Sequence, residues 1–263
     1  MTIIKLREPD DDILPLIRKC SSEELDNLVG YITVKGGVSC QLKHLDSFRE
    51  NYPEHSIYAD EIAAEIQKFG GNTIFNIIRK GKGQKYKNIV CDVADHLKLK
   101  VDKTENIEAI EMEILVKVME LSWEKMTAEE KKALLKGIIN ETKDIESHNE
   151  FPHKVFHSAL LAGGTIISYR LSILIANAIA KITLEKGIGI AAGTALSKWV
   201  SAFTGVIGVG ITAIWTLFDF SGPAFRVTIP CVIHIAMLRQ LHKLKDDGIN
   251  PELLIEYDNG FTG

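Results

Sequence analysis

Residues 199–218, WVSAFTGVIGVGITAIWTLF, form a stretch of twenty residues without a charged side chain. A helix of that length is about 30 Å long, which matches the hydrocarbon core of a bilayer. A second apolar stretch, residues 155–180, precedes it and carries Arg170 as its single formal charge. We interpret the two stretches as the arms of an apolar helical hairpin, around which the rest of the chain must be organised.

Charge divides the 263-residue chain into three parts. Residues 1–150 have a net charge of −6, residues 151–245 a net charge of +7, and residues 246–263 a net charge of −5. Such changes mark boundaries between bodies with different surroundings. We predict an acidic helical domain over 1–150, an apolar hairpin domain with a basic C-terminal helix over 151–245, and an acidic tail over 246–263.

Helical periodicity and capping signals predict an all-α fold. Ser21 with Glu24, and Thr127 with Glu130, have the spacing of capping boxes, each of which begins a helix. Two further helices carry apolar residues every three to five positions, namely Ile57, Ile62, Ile66 and Phe69 in the first and Ile107, Ile110, Ile114, Val118 and Leu121 in the second. The four cysteines form no close pair, so we expect free thiols in a reducing cytoplasm, and the acidic start of the chain indicates no secretory signal.

Glycine is concentrated within and just before the charge-free stretch. In an exposed helix each glycine costs about 1 kcal/mol relative to alanine, so the cluster requires compensation. Close packing of helices provides it, either in a protein core or in lipid, where the GxxxG spacing of Gly189 and Gly193 lets two helices approach. Both interpretations stay open. The residues expected to insert into a membrane or to pack within the hairpin are Gly189, Gly193, Trp199, Phe203, Gly205, Gly208, Gly210, Trp215 and Phe218.

Two groups of cations are candidates for contact with anions or lipid headgroups. They are Arg79, Lys80, Lys82, Lys85 and Lys87 in a basic loop, and Arg239, Lys243 and Lys245 at the end of the last apolar helix. The loop lacks Walker A spacing and has a single aromatic residue among its bases, which favours a solvated loop and disfavours nucleic acid as a ligand. Arg170 is costly within an apolar helix, so we expect it to pair with Asp219, one of two acidic residues in 151–245.

His153 and His157 lie four positions apart at the predicted start of a helix, a spacing that suits a shared divalent metal. The sequence fixes no third ligand, and we assign neither a metal nor a cofactor. Protonation of the two histidines near pH 6 would instead favour contact with an anionic membrane. No GxSxG, HExxH or Cys/His pairing occurs, so we expect a protein that is not an enzyme.

Four segments together resemble a known family: AAEIQKFGGNTIFN (63–76), GKGQKYKNIVCDVADHLKLK (81–100), EKMTAEE (124–130) and GPAFRVTIPCVIHIAMLR (222–239). They are similar to the distinctive strings of the YaaW family of uncharacterised bacterial proteins, FGGNxI and AxRVTIPAVxxIAxLR among them. The resemblance brings no established activity. The family is sometimes labelled as resembling a ubiquinol-cytochrome c chaperone, which implies a chaperone or adaptor. The first helix and the acidic tail depart from the family pattern.

We therefore expect a bacterial protein whose hairpin engages or permeabilises the cytoplasmic membrane, shielded or regulated by the acidic N-terminal domain. The alternative is a soluble chaperone or adaptor in which the hairpin is the buried core. The expected partner is an anionic membrane or another protein, with a homo-oligomer as an open alternative. The expected location is the cytoplasm, including the inner face of its membrane.

Overall fold

The computed structural model describes residues 10–33, 40–70, 84–139, 152–188, 200, 203–205, 207–209, 212, 225–251 and 254. The regular elements in these ranges are all helices, and none of these residues lies in a strand. The predicted all-α class is therefore confirmed. The four cysteines are free thiols, also as predicted.

Two compact units make up the chain, and each combines early and late residues. The first contains Met1–Ile114 with Thr216–Leu238, and the second contains Leu115–Trp215 with Arg239–Gly263. The boundary predicted near residue 150 lies outside the described residues, so the division into 1–150, 151–245 and 246–263 stays a prediction.

The first unit is built mainly from short helices. They are α1 (Leu14–Lys19), α2 (Ser22–Thr33), α3 (Asp46–Asn51), α4 (Ala59–Gly70), α5 (Tyr86–His96), the first part of α6 (Ile107–Trp123) and most of α9 (Phe225–Asp246), with two 3-10 helices at Leu42–His44 and His55–Tyr58. The Ser21 and Glu24 capping box is confirmed at the start of α2. The Ser21 amide donates to the Glu24 carboxylate at 2.8 Å, and the Glu24 amide donates to the Ser21 hydroxyl at 3.2 Å.

A buried carboxylate joins distant segments of this unit. Asp10, which is 2% exposed, accepts hydrogen bonds at Oδ2 from the Gln67 side chain at 2.7 Å and from the Tyr86 amide at 2.6 Å. The Tyr86 hydroxyl in turn donates to Glu111 at 2.9 Å. Because Tyr86 is the first residue of α5, Asp10 also places a negative charge at the positive end of that helix.

One predicted core residue of this unit is exposed. Ile62, Ile66 and Phe69 are buried on α4 as expected, but Ile57 is 61% exposed. Residues 55–58 form a 3-10 helix, with about three residues per turn, before α4 begins at Ala59. Ile57 is therefore out of phase with the apolar face of α4, and the prediction of its burial was wrong.

The second unit contains the longest described helix, α8 (His153–Leu184). Its other helical parts are the last part of α6, α7 (Ala128–Ile139), the end of α9 and helical residues between 200 and 212. The Thr127 and Glu130 capping box is confirmed before α7, with hydrogen bonds of 2.8 and 3.2 Å. Helix α8 is broken at Gly164, whose φ of 53° lies in the left-handed region that glycine tolerates.

Close approach of α4 and α5 depends on Gly70. A Cβ atom at this position would lie 2.3 Å from Cγ1 and 2.5 Å from Cδ1 of the buried Ile89 side chain. We expect Gly70→Ala to lower the free energy of unfolding by about 1–3 kcal/mol, because the added methyl group overfills the contact. Urea denaturation measures this loss. The Gly70→Ala/Ile89→Ala double variant should lose less than the sum of the single variants, and strict additivity would contradict the clash.

Candidate functional site

The later part of the apolar stretch in α8 is buried. Every residue from 171 to 180 is buried, on all sides of the helix. The part of α8 after its break, Gly164–Leu184, has 21 residues and is the one described helix long and apolar enough to cross a membrane; 67% of its apolar window is buried. The buried core helix of a soluble protein can have the same length and apolar composition. A helix that is apolar on all sides suits a protein core or a lipid environment equally.

The described residues of 200–212 have one packed side and one exposed side. The packed side has helical spacing and consists of Val200, Phe203, Thr204 and Ile207. On the other side, Gly205 and Thr212 are exposed and Val209 is 56% exposed. A Cβ atom at Gly205 would meet no atom within 4 Å, so this glycine makes no close contact with the described atoms. A Cβ atom at Gly208 would lie 3.7 Å from Ile182 on α8, an ordinary van der Waals contact.

A buried side-chain amide connects α8 to the chain that follows it. Asn177 is 4% exposed, and its Nδ2 donates to the Thr204 hydroxyl at 2.8 Å. Its Oδ1 accepts from the Ile188 amide at 3.0 Å. Gly187 lies against this amide, because a Cβ atom there would be 2.9 Å from Asn177 Oδ1. Asn177 therefore holds both the turn after α8 and the helical residues near 204.

Arg170 uses backbone carbonyls as partners. Its guanidinium donates to the carbonyl of Gly137 at 3.2 Å and to the carbonyl of Leu254. Gly137 lies in the last turn of α7, where the helix dipole favours a cation. These bonds stabilise a half-buried charge within the apolar arm. The predicted partner Asp219 lies outside the described residues, so the Arg170–Asp219 pair stays a prediction.

Many of the predicted site residues lie outside the described ranges: Gly189, Gly193, Trp199, Gly210, Trp215, Phe218, Arg79, Lys80 and Lys82. Among the described cations, Lys87 donates to the backbone carbonyls of Glu105 at 2.7 Å and Thr104 at 3.5 Å. Lys85, Lys243 and Lys245 are exposed, and Arg239 is half-buried.

The two histidines at the start of α8 differ in their surroundings. His153 is half-exposed and lies 3.3 Å from Glu120, which also pairs with Lys117 at 2.6 Å. His157 is half-buried. In the described part of the chain, no trio of His, Cys, Asp and Glu ligand atoms within 4.8 Å of one another includes either histidine.

Sequence reasoning missed a buried histidine in the first unit. His234 on α9 is 0% exposed, and its ring meets the buried ring of Tyr31 edge to face, with 5.8 Å between centroids. Nε2 donates to the Glu24 carbonyl at 3.3 Å, which places the proton of the neutral ring on Nε2. Nδ1 of His234 and the Tyr31 hydroxyl are both buried without a hydrogen-bond partner. Its place in the apolar run PCVIHIAMLR was the only sequence signal of this burial.

Burial controls the ionisation of this group. Desolvation lowers the pKa of His234 to about 4, although the nearby Glu24 and Asp26 act in the opposite direction. Desolvation also raises the pKa of the Tyr31 hydroxyl well above its usual value, and it raises the pKa of the Cys231 thiol. His234 is therefore a neutral core residue at pH 7.

The chain is similar to several uncharacterised bacterial proteins. A UPF0174 protein of Helicobacter pylori strain J99 is 35% identical over 233 residues, which cover 88% of this chain and 91% of that relative. The UPF0174 protein YaaW of Escherichia coli strain K12 is 32% identical over 241 residues, which cover 88% of this chain and 95% of that relative. No family model and no solved structure matches the chain. On these similarities, the chain belongs to the UPF0174 family, of which YaaW is a member.

Proposed function

We propose that this protein is not an enzyme and that its two apolar stretches form a hairpin that engages or permeabilises the cytoplasmic membrane. In the resting protein the hairpin is packed against other residues, and the acidic first part of the chain regulates its release. The protein acts at the inner face of the membrane, alone or as a homo-oligomer. Release of a packed helix pair is a two-state switch of the kind that regulatory proteins use.

One observation carries this proposal: the exposed residues among those described within 200–212 carry no charge. Gly205, Val209 and Thr212 face outward, within a twenty-residue stretch that lacks charged side chains altogether. The exposed face of a soluble helix normally carries charged and polar residues. A neutral outward face avoids the free-energy cost of burying a charge in lipid, so these residues suit a helix that also resides in a membrane.

The lengths and flanking charges agree with this proposal. The 21 residues of Gly164–Leu184 extend about 30 Å as a helix, enough for a hydrocarbon core. Lys181 and Lys186 lie exposed near the end of this arm, and Lys243 and Lys245 are exposed at the end of α9. Cations in such positions favour anionic headgroups.

Dye release from vesicles tests the proposal. Purified full-length protein is mixed with phosphatidylglycerol-containing vesicles at pH 7.4 and at pH 5, and with zwitterionic vesicles for comparison. We expect release from the anionic vesicles. Val209→Lys should reduce release about tenfold or more, because a charge in the hydrocarbon core costs about 2.5–3.5 kcal/mol. Val209→Thr is the matched neutral control and should behave as the wild type.

Two outcomes would contradict the proposal. A monodisperse protein that leaves anionic vesicles intact at both pH values would exclude membrane engagement. Equal release by Val209→Lys and the wild type would show that this face does not enter the membrane. Val209 is 56% exposed, so the lysine variant should keep the wild-type urea midpoint, and that measurement separates lost insertion from lost folding.

A second candidate function, a chaperone or adaptor with the apolar arms as a permanent core, is favoured by a different observation. Tyr52 and Ile57, two large apolar side chains of the first unit, are 60% and 61% exposed. The two residues are five positions apart in one segment, and exposed apolar patches mark protein interaction sites. For this function, full-length protein should bind a specific protein partner while leaving vesicles intact.

A further inference from the structure

An exposed aromatic ring in the first unit is held in a fixed position. Tyr52 is 60% exposed, yet its ring contacts Phe48 at a centroid distance of 5.4 Å and His55 at 5.5 Å. Phe48 also contacts the buried Tyr58 at 5.5 Å. An aromatic side chain whose ring is already supported loses little conformational freedom when a partner covers it. Tyr52 therefore has the properties of an interface anchor.

The support beneath Tyr52 is itself fixed by hydrogen bonds. His55 is 1% exposed, and its Nε2 lies 3.3 Å from the Asp26 carboxylate. A carboxylate accepts, so Nε2 is the donor to Asp26, and Nδ1 lies 2.5 Å from the Tyr58 hydroxyl oxygen. Asp26 lies on α2, so this chain of bonds holds the 3-10 helix of residues 55–58 against a different helix.

Polar groups beside the 3-10 helix have their hydrogen bonds satisfied locally. The Ser22 hydroxyl donates to Glu54 at 3.3 Å and accepts from the Ser56 amide at 3.1 Å. Ile57, the next residue, is 61% exposed. Apolar side chains beside satisfied polar groups are the usual composition of a protein interface, with its apolar centre and polar rim.

The charge of this region identifies the kind of partner. Residues 46–61 contain five acidic residues and one basic residue, Arg49, which gives a net charge of −4 with His55 neutral. Asp60 is engaged by Arg18 through two bonds of 2.6 and 2.7 Å, and the remaining acids still exceed the bases. Like-charge repulsion disfavours an anionic membrane or a nucleic acid at this surface.

We propose that Tyr52 and Ile57 form a docking surface for a basic segment of another protein, one that combines apolar side chains with lysine or arginine. The apolar side chains cover Tyr52 and Ile57, and the cations face the carboxylates of residues 46–61. This surface belongs to the first unit and does not depend on membrane engagement by residues of the second.

Photo-crosslinking in cells tests this surface. The full chain carries p-benzoylphenylalanine at position 52, which keeps an aromatic ring there, or at the exposed control position 103. We expect an adduct from position 52 and none from position 103. The added change Ile57→Ser should lower the adduct yield about fivefold or more, a loss that marks one of the few interface residues that carry most of the binding energy. Mass spectrometry should identify a crosslinked partner segment whose sequence contains more lysine and arginine than aspartate and glutamate.

Four results would overturn the proposal: no adduct from position 52, an adduct with lipid, an adduct with a neutral or acidic peptide, or an adduct with a second copy of this chain. Ile57 is exposed, so Ile57→Ser should keep the wild-type urea midpoint, which confirms that the variant is folded. An unchanged adduct yield in that folded variant would also count against the proposal. The vesicle assay is separate, so this surface and the membrane proposal fail or succeed independently.

Discussion

We expect Asn177→Leu to lower the free energy of unfolding by about 2–3 kcal/mol, because the buried backbone amide of Ile188 loses its acceptor. Leucine fills a similar volume but cannot accept from the Ile188 amide, and Ile188 is 6% exposed. Thr204 also loses a donor, although its hydroxyl keeps the bond to the Val200 carbonyl. Urea denaturation at pH 7 measures the difference.

Two glycine variants test the same contact from the opposite side. Gly187→Ala should lower the free energy of unfolding by about 1–2 kcal/mol, because its methyl group displaces Asn177 Oδ1. Gly205→Ala is the matched control. It should be neutral or stabilising by up to about 1 kcal/mol, because its helical position is exposed and has space for a methyl group. Equal losses in both variants would contradict the role assigned to Asn177.

The Asn177→Leu variant also connects stability to the proposed function. If the hairpin is released before it enters a membrane, a weaker contact at Asn177 raises the population of the released form. Asn177→Leu should then release vesicle dye at pH 7.4 at a lower protein concentration than the wild type. Gly205→Ala, which should be at least as stable as the wild type, is the control. Increased dye release by this variant would show that the effect does not come from the Asn177 contact.

Acid should destabilise the protein through His234. Its pKa is about 4 in the folded state, against the ordinary histidine value of 6.5, so the unfolded chain binds more protons between these limits. The contribution of the neutral His234 ring to the free energy of unfolding is therefore fully present above pH 6.5, and it is lost as the pH decreases toward 4. Complete titration of this one group corresponds to about 3 kcal/mol. Urea midpoints measured from pH 7.5 to pH 4 follow this loss.

Replacing the buried base isolates its contribution. His234→Phe keeps an aromatic ring against Tyr31 and removes the titrating group. Between pH 7 and pH 4, the free energy of unfolding of this variant should fall by about 2–3 kcal/mol less than that of the wild type. His44→Gln is the control, because His44 is an exposed histidine of the same unit. Parallel pH profiles for His234→Phe and the wild type would assign the acid sensitivity to other groups.

Local features of this fold could be predicted because they depend on neighbouring residues. The Ser21/Glu24 and Thr127/Glu130 boxes form between residues three apart, so their spacing was sufficient to place the starts of α2 and α7. The periodic apolar residues from Ile107 to Leu121 likewise predicted a helix, and α6 spans Ile107–Trp123. Ile57 was misassigned because the helical period was extended through a 3-10 turn that the sequence pattern does not reveal.

The contacts of the candidate site could not be predicted in the same way. Asn177 appeared in the sequence as an isolated polar residue, and its bonds reach residues 11 and 27 positions away. Arg170 was expected to need an acidic partner, but carbonyl oxygens 33 and 84 positions away also satisfy a guanidinium. Backbone acceptors occur at every residue, so sequence gives no indication of which ones will approach a given cation.

The amino-acid sequence alone establishes four properties: the helical class, the free thiols, the charge-free stretch of 199–218 and the family. Each of these follows from composition, short-range spacing or identity with relatives. Three-dimensional packing was needed to find that residues 171–180 of α8 are buried on all sides, that Val209 faces outward, that His234 is enclosed and that Tyr52 is held exposed. Burial depends on which distant segments pack together, and a residue's own neighbours in the chain do not determine that choice.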